Sequence, residues 1–406
     1  MGDFEVIDGN VTSPKGFLAS GVVAGIKKAK KDFAIIYSEK KANAAAAFTT
    51  NKVKAAPVIL DMKRIENGEA QAIVVNSGNA NACTGNKGYE DACTTADMAA
   101  KHLNIDSSDV LVCSTGIIGV TLPMEKIAKG IELAAQSLSK DGGKEAAKAI
   151  LTTDTFSKEV AVKFTVKGVE VTIGGIAKGS GMISPNMATM LSFITTDANI
   201  TKDALNKALK ETVKRSYNMI SVDGDMSTND TIIILANGEA GNPVIENGTY
   251  EYEIFYNALL YVNKYLAKQI AKDGEGATKF MEVKVINALT EEDAILAAKS
   301  VVNSNLVKTA IFGEDANWGR IIAAVGYSGA NFSQDDTDIY LKSNKGIIKV
   351  CENGGFIDFS EETAKEILSE KEISIIIDLN AGNYEALAWG CDLSYDYVKI
   401  NGSYRT

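Results

Sequence analysis

Strand-like and helix-like segments alternate along this chain, and that alternation constrains its fold more than any other feature. Residues 33–38, 72–76, 110–114, 160–166 and 169–173 read as strands, the last two joined at Lys167–Gly168 like a hairpin. Helical patterns cover 90–103, 123–139 (with Pro123 in the first turn), 202–217, 252–272, 291–302 and 361–370. Further strands are expected near Ala310 and at 337–341, 347–350, 373–379 and 396–400. Many strand runs alternate apolar and polar residues, as half-buried antiparallel strands do. The expected class is α/β of the α+β kind, largely antiparallel. At 406 residues the chain is long enough for more than one core, since single cores rarely grow past about 250–300 residues. Domain boundaries are faint: five prolines leave little for a linker, and there is no internal repeat.

Charge and residue counts exclude several function classes. Lysine and arginine number 42 against 52 acidic residues, a net charge of −10, which argues against nucleic acid or an anionic membrane as partner. No apolar run approaches the roughly 18–20 residues of a membrane span. The acidic start Met1–Gly2–Asp3–Phe4–Glu5 carries no secretory signal, and Val6 spoils a myristoylation site, so a cytoplasmic protein is expected. Five cysteines without a CxxC pair read as reduced thiols. The single histidine, His102, sits at the end of a predicted helix. One histidine rules out schemes that need two and nearly closes the Ser-His-Asp route. Acyl chemistry in this chain therefore needs another base.

Residues 178–191 read KGSGMISPNMATML: a lysine, a glycine-flexible turn, then Ala188–Thr189 and an apolar strand-like run. Threonine becomes a good nucleophile only when a base takes its proton. Its own α-amine, with an unperturbed pKa of about 7.7–8.0, is a suitable base once the preceding peptide bond is cut. Thr189 is a candidate for such an N-terminal nucleophile, released by self-cleavage after Ala188; a plain turn into a strand is the other reading of the pattern.

This segment resembles the cleavage site of the ornithine acetyltransferase (glutamate N-acetyltransferase) family. The resemblance spans essentially the whole chain: PKGF at 14–17, FTTN at 48–51, AAPV at 55–58, NSGNANACTG at 76–85 and STGIIG at 114–119. It continues with TTDT at 152–155, DGEGATK at 273–279, GEDANWGR at 313–320 and NGSYRT at 401–406. It implies a layered fold of antiparallel sheets packed by helices, with a smaller C-terminal part. It also implies cleavage into fragments 1–188 and 189–406 that form one intertwined unit, and assembly of two copies of each. The implied reaction moves an acetyl group from N-acetylornithine to glutamate through an acetyl ester on Thr189, without metal or cofactor. Some members also accept acetyl-CoA, and no residue of this sequence decides that point.

Carried over residue by residue, the resemblance makes Thr115 and Gly116 the oxyanion hole, by a hydroxyl and a backbone N–H. Locally, 110–113 reads as a buried strand and 114–116 as the turn leaving it, where backbone donors are free. Thr152, Lys178, Glu275, Asn401 and Thr406 become substrate contacts together with Thr189. Each has a plainer local reading: a helix cap for Thr152, a solvated lysine for Lys178, a capped helix end after which Glu275 is solvated, and a frayed terminus for Asn401 and Thr406. Lys178 would hold a carboxylate or lower the amine pKa of Thr189; Glu275 suits a δ-ammonium or a proton transfer. The terminal residues reach a site only if the expected strand 396–400 docks firmly. Asp223, Asp225 and Asp230 suggest calcium-loop spacing but lack the downstream glutamate, so 221–231 is taken as a structural loop near the site. Residues 313–320 have no assigned role. Other readings are a self-cleaving amidohydrolase or aminopeptidase of the same fold, a thioester enzyme using Cys113 or Cys83, and a non-catalytic binding protein.

Overall fold

The computed structural model describes residues 4–184 and 190–403. Two sheets organise them. In the larger, the strand order is Phe4–Ile7, Lys158–Val166, Val169–Lys178, Leu191–Thr196, Thr231–Ala236, Phe33–Phe48, Glu69–Asn79 and Val110–Ile117, with Phe17–Val22 also paired to Phe33–Phe48. All its pairings are antiparallel except Leu191–Thr196 with Thr231–Ala236 and Glu69–Asn79 with Val110–Ile117. The smaller sheet runs Gly355–Phe356, Gly346–Glu352, Asp338–Ser343, Glu372–Asp378, Phe280–Ala288, Tyr384–Cys391 and Ile220–Ser221. It too is mixed, with parallel pairs at Phe280–Ala288/Glu372–Asp378 and Tyr384–Cys391/Ile220–Ser221. The expected α+β class with mainly antiparallel pairing is what the chain adopts.

The central strand Thr231–Ala236 explains why the larger sheet needs cover on both sides. Ile232 and Ile234 face one core, Ile233 and Leu235 the other, and all four are fully buried. On the first side, helix Tyr250–Lys272 packs against strands of both sheets. One apolar core thus runs from Val162 and Ile173 through Leu259 and Ile270 to Met281 and Ile375. The opposite side carries a cluster under helix Gly143–Ala149; helices Gly85–Leu103 and Met124–Gln136 cover a third cluster, on the other face of strands Phe33–Phe48, Glu69–Asn79 and Val110–Ile117 from that one.

The expected hairpin forms: Val166 pairs with Val169, and Lys167 and Gly168 take φ of 47° and 85°, the left-handed pair of a tight turn that matches strand twist. Two expected strands are instead helices. The segment around Ala310 is helix Asn305–Phe312, begun by Ser304, whose hydroxyl accepts from the Val307 N–H. The segment 396–400 lies in helix Tyr395–Ser403, where the Ser394 hydroxyl accepts from the Asp396 N–H. Both runs are rich in β-branched or aromatic residues, and in both a serine hydroxyl at the start satisfies a first-turn N–H and favours the helix over strand propensity. His102 is exposed in the last turn of its helix, as expected. No described helix is long and apolar enough to cross a membrane.

Candidate active site

Lys178 ends one strand and pairs with Leu191, the first residue of the next. The chain therefore leaves the sheet after Lys178 and rejoins it at Leu191, beside its point of departure. Ala188 and Thr189 lie outside the described residues, but the return is anchored: the Met190 N–H donates to Asp230 Oδ1 at 2.9 Å. On the outward side, Asp223 accepts from the N–H groups of Met182 (2.6 Å) and Ile183 (2.8 Å). Two of the three aspartates that suggested calcium spacing, Asp223 and Asp230, thus hold backbone N–H groups of Met182, Ile183 and Met190.

Around this turn the fold gathers Thr115, Gly116, Thr152, Lys178, Glu275 and Asn401 onto one cavity, together with Asp223, Asp225, Asn229 and Tyr397. Six sequence-predicted residues from five separate segments meet there; Thr406, like Thr189, is outside the described residues.

Thr115 and Gly116 come from the edge strand Val110–Ile117. Gly116 has φ of +134°, and a Cβ there would approach the Gly78 carbonyl carbon to 2.3 Å, so only glycine fits. The strand is braced outward by Asp61, which accepts the Val112 N–H at 2.9 Å. Burial pushes the Cys113 thiol well up and Asp61 adds to it, which removes Cys113 as a thiolate nucleophile.

Lys178 is buried rather than solvated (3% exposed), with its Nζ 4.0 Å from Asp154 Oδ2. Asp154 Oδ1 also receives Lys158 Nζ at 2.8 Å, and Lys158 reaches Asp273 Oδ2 at 2.6 Å. Two lysines and two aspartates therefore form a buried, charge-balanced chain below the cavity. Burial lowers the Lys178 pKa from its ordinary value, opposed mainly by Asp154. Burial alone would raise the Asp154 carboxyl, but Lys178 and Lys158, with the Gly179 N–H at 2.7 Å, hold it well below the carboxylate range.

Thr152 caps no helix; its N–H donates to Asp154 Oδ2 at 3.0 Å, inside the same network. Glu275 follows helix Tyr250–Lys272, and its N–H donates to the Ser180 carbonyl at 2.8 Å. Its Oε2 accepts from Asn401 Nδ2 at 2.8 Å. The terminal helix is held a turn earlier by Tyr397, whose hydroxyl donates to Asp223 Oδ2 at 3.2 Å. Burial and the Asp223 charge push the Tyr397 phenol up, so it stays a donor. Segment 313–320 lies off the cavity: Asn317 caps helix Trp318–Gly326, and Glu314 pairs with Lys279 at 3.0 Å.

Sequence reasoning missed Asp154, Asp223, Asn229 and Tyr397. Asp154 lay inside the quoted TTDT run, and Asp223 and Asn229 inside the loop set aside as structural. Nothing in the local pattern of Tyr397 marked it out.

The arrangement can hold a small polar molecule between a buried cation and a carboxylate, beside Thr115 and Gly116. The ArgJ family model matches residues 18–406. The arginine biosynthesis bifunctional protein ArgJ of Caldanaerobacter subterraneus subsp. tengcongensis is 69% identical over 402 residues, 99% of this chain and 100% of that one. ArgJ 1 of Clostridium acetobutylicum is 57% identical over 398 residues, 98% of each. The crystal structure of the ArgJ protein of Bacillus halodurans matches with a TM-score of 0.51 at 47% identity, covering 53% of this chain and 100% of that one. The chain belongs to the ArgJ family.

Proposed function

We propose that this protein moves an acetyl group from N-acetylornithine to glutamate through an acetyl ester on Thr189, after cutting its own chain between Ala188 and Thr189. In the cut, Thr189 Oγ attacks the Ala188 carbonyl, the C–N bond breaks as the acyl group shifts to oxygen, and water hydrolyses the ester. The products are a carboxylate on Ala188 and a free α-amine on Thr189. In turnover that amine takes the Oγ proton, and Oγ attacks the acetyl carbonyl of N-acetylornithine. Ornithine leaves as the amine, protonated by the same base. Glutamate's amine then attacks the acetyl ester and regenerates the threonine.

In this reading the Thr115 hydroxyl and the Gly116 N–H stabilise both oxyanions. Lys178, with Asp154 beneath it, faces a substrate carboxylate. Glu275, oriented by Asn401, faces an ammonium or shuttles the departing proton. Thr152 and Thr406 complete the substrate contacts.

The observation that carries the reading is the convergence of the six described residues on one cavity beside the strand end at Lys178. Two further observations support it. Residues 189–406 number 406 − 188 = 218, just over half the chain, and the solved ArgJ chain of Bacillus halodurans, complete, corresponds to 53% of this one. The two strands flanking the cut are neighbours in one sheet, so fragments 1–188 and 189–406 would stay intertwined. The names of the relatives, bifunctional proteins of arginine biosynthesis, favour transfer over hydrolysis. Association of two copies of each fragment, and acetyl-CoA as a second donor, belong to the same proposal.

The test is an intact-mass spectrum after brief exposure to N-acetylornithine without acceptor. Two fragments meeting at Ala188/Thr189, with one added acetyl on the fragment that begins at Thr189, are expected. A single unmodified chain would sink the mechanism.

A further inference from the structure

We propose that Asn229, with Asp230 beside it, is a positioning residue that locks the oxyanion pair and the nucleophile segment into one rigid unit; this rests on the acyl-transfer reading above. Asn229 is 6% exposed and borders the cavity. Its Nδ2 donates to the Ala80 carbonyl at 2.7 Å and to the Ser114 carbonyl at 2.8 Å. Its Oδ1 accepts from Thr228 Oγ1 at 2.6 Å, which fixes the amide's orientation. Both amide protons thus go to carbonyls of two neighbouring segments, one just past strand Glu69–Asn79 and one within strand Val110–Ile117.

The Ser114 carbonyl is the informative one. It shares a planar peptide with the Thr115 N–H, so holding that oxygen sets the plane from which Thr115 and then Gly116 project. The Ser114 hydroxyl is tied separately to Asn76 Oδ1 at 2.6 Å, so the residue before the oxyanion pair is held at both its side chain and its carbonyl. The next residue along, Asp230, is fully buried and binds the Met190 N–H at 2.9 Å. Thr231 then continues the brace, pairing with Leu191 in the sheet. Two consecutive side chains therefore grip the residue before Thr115 and the residue after Thr189, which lie far apart in sequence. Attack by Oγ and stabilisation of the resulting oxyanion need those two groups in fixed register, and a displacement of about 1 Å costs on the order of 100-fold in rate.

The experiment compares wild type with Asn229→Ala and Asn229→Asp, reading fragment masses, acetyl uptake, kcat, KM and thermal midpoint. Asn229→Asp keeps the size but turns a carboxylate oxygen toward carbonyl oxygens. Both variants should lose roughly 100-fold in kcat, with KM for N-acetylornithine within about twofold of wild type and self-cleavage slowed. Folded, cleaved variants with kcat within about threefold of wild type would overturn the proposal. So would losses in kcat and KM that merely track the thermal midpoint. Thr228→Val, isosteric and milder, serves if neither variant folds: loss of one orienting hydrogen bond should lower kcat about fivefold at unchanged KM, and wild-type kcat there refutes the idea. A wild type that neither cleaves nor takes up acetyl overturns the acyl-transfer reading, and this inference with it.

Discussion

Replacing Gly181 by alanine isolates the role of Glu275 without touching its carboxylate chemically. A Cβ at 181 would lie 2.4 Å from the Glu275 carboxyl carbon and 2.4 and 2.6 Å from its oxygens. Ordinary contact begins at 3.4 Å, so the carboxylate must retreat by 3.4 − 2.4 = 1.0 Å. Gly181 is not among the positive-φ residues, so alanine adds no backbone strain. The clash falls on the end of a flexible side chain, and the stability cost should stay below about 1 kcal/mol. The retreat, however, breaks the 2.8 Å bond from Asn401 and withdraws the carboxylate from its place in the cavity. A misplacement of about 1 Å is worth roughly 100-fold, or about 2.7 kcal/mol of barrier. The assay is kcat and kcat/KM with N-acetylornithine and glutamate, alongside thermal melting. In a Glu275→Ala background the clash partner is gone, so Gly181→Ala should then have no further effect. Full activity in Gly181→Ala, or an additive loss in the double variant, would refute the argument.

Four other outcomes follow from the buried charge network and the terminal helix. Lys158→Met leaves Asp154 and Asp273 without their shared cation, and urea unfolding should show a loss of about 3–5 kcal/mol. Asp154 has a depressed folded pKa, so its stabilisation is complete above the ordinary carboxylate value of about 3.9 and is lost as pH falls below it. The urea midpoint of wild type should therefore drop more steeply between about pH 5 and 2 than that of Asp154→Asn, which starts lower; equal slopes would contradict the assignment. Tyr397→Phe removes the tie to Asp223 and should lower kcat/KM by about threefold to tenfold, whereas deleting residues 395–406 should abolish activity while far-ultraviolet dichroism is kept.

Much of the site was legible because its chemistry sits in short runs whose residue types are individually telling, such as STG at 114–116 and GEG at 274–276. The fold class was legible because alternation and turn chemistry are local, as at Lys167–Gly168. What stayed hidden depends on distant partners. Lys178 reads as a surface lysine until Asp154 and Lys158 are brought beneath it by neighbouring strands. The loop holding Asp223, Asn229 and Asp230 looks structural because each side chain acts on backbone from another segment. Residues 395–403 misled for a further reason: a run rich in Tyr, Val and Ile has strand propensity, yet with the Ser394 hydroxyl bonded to the Asp396 N–H it forms a helix. The helix matters to the site. Tyr397 and Asn401 are about 6 Å apart along it, close enough to reach one cavity; in a strand they would be about 13 Å apart.

The pairing of Lys178 with Leu191 across the larger sheet has a consequence for how the protein survives denaturation. Under the proposed cleavage the chain folds as one molecule but unfolds as two. Refolding of the cut form is then a second-order encounter between partners that each hold half of a buried sheet, and its yield should rise with protein concentration, whereas an uncut Thr189→Ala chain should refold independently of it. The working enzyme would owe its lifetime to the slowness of coming apart.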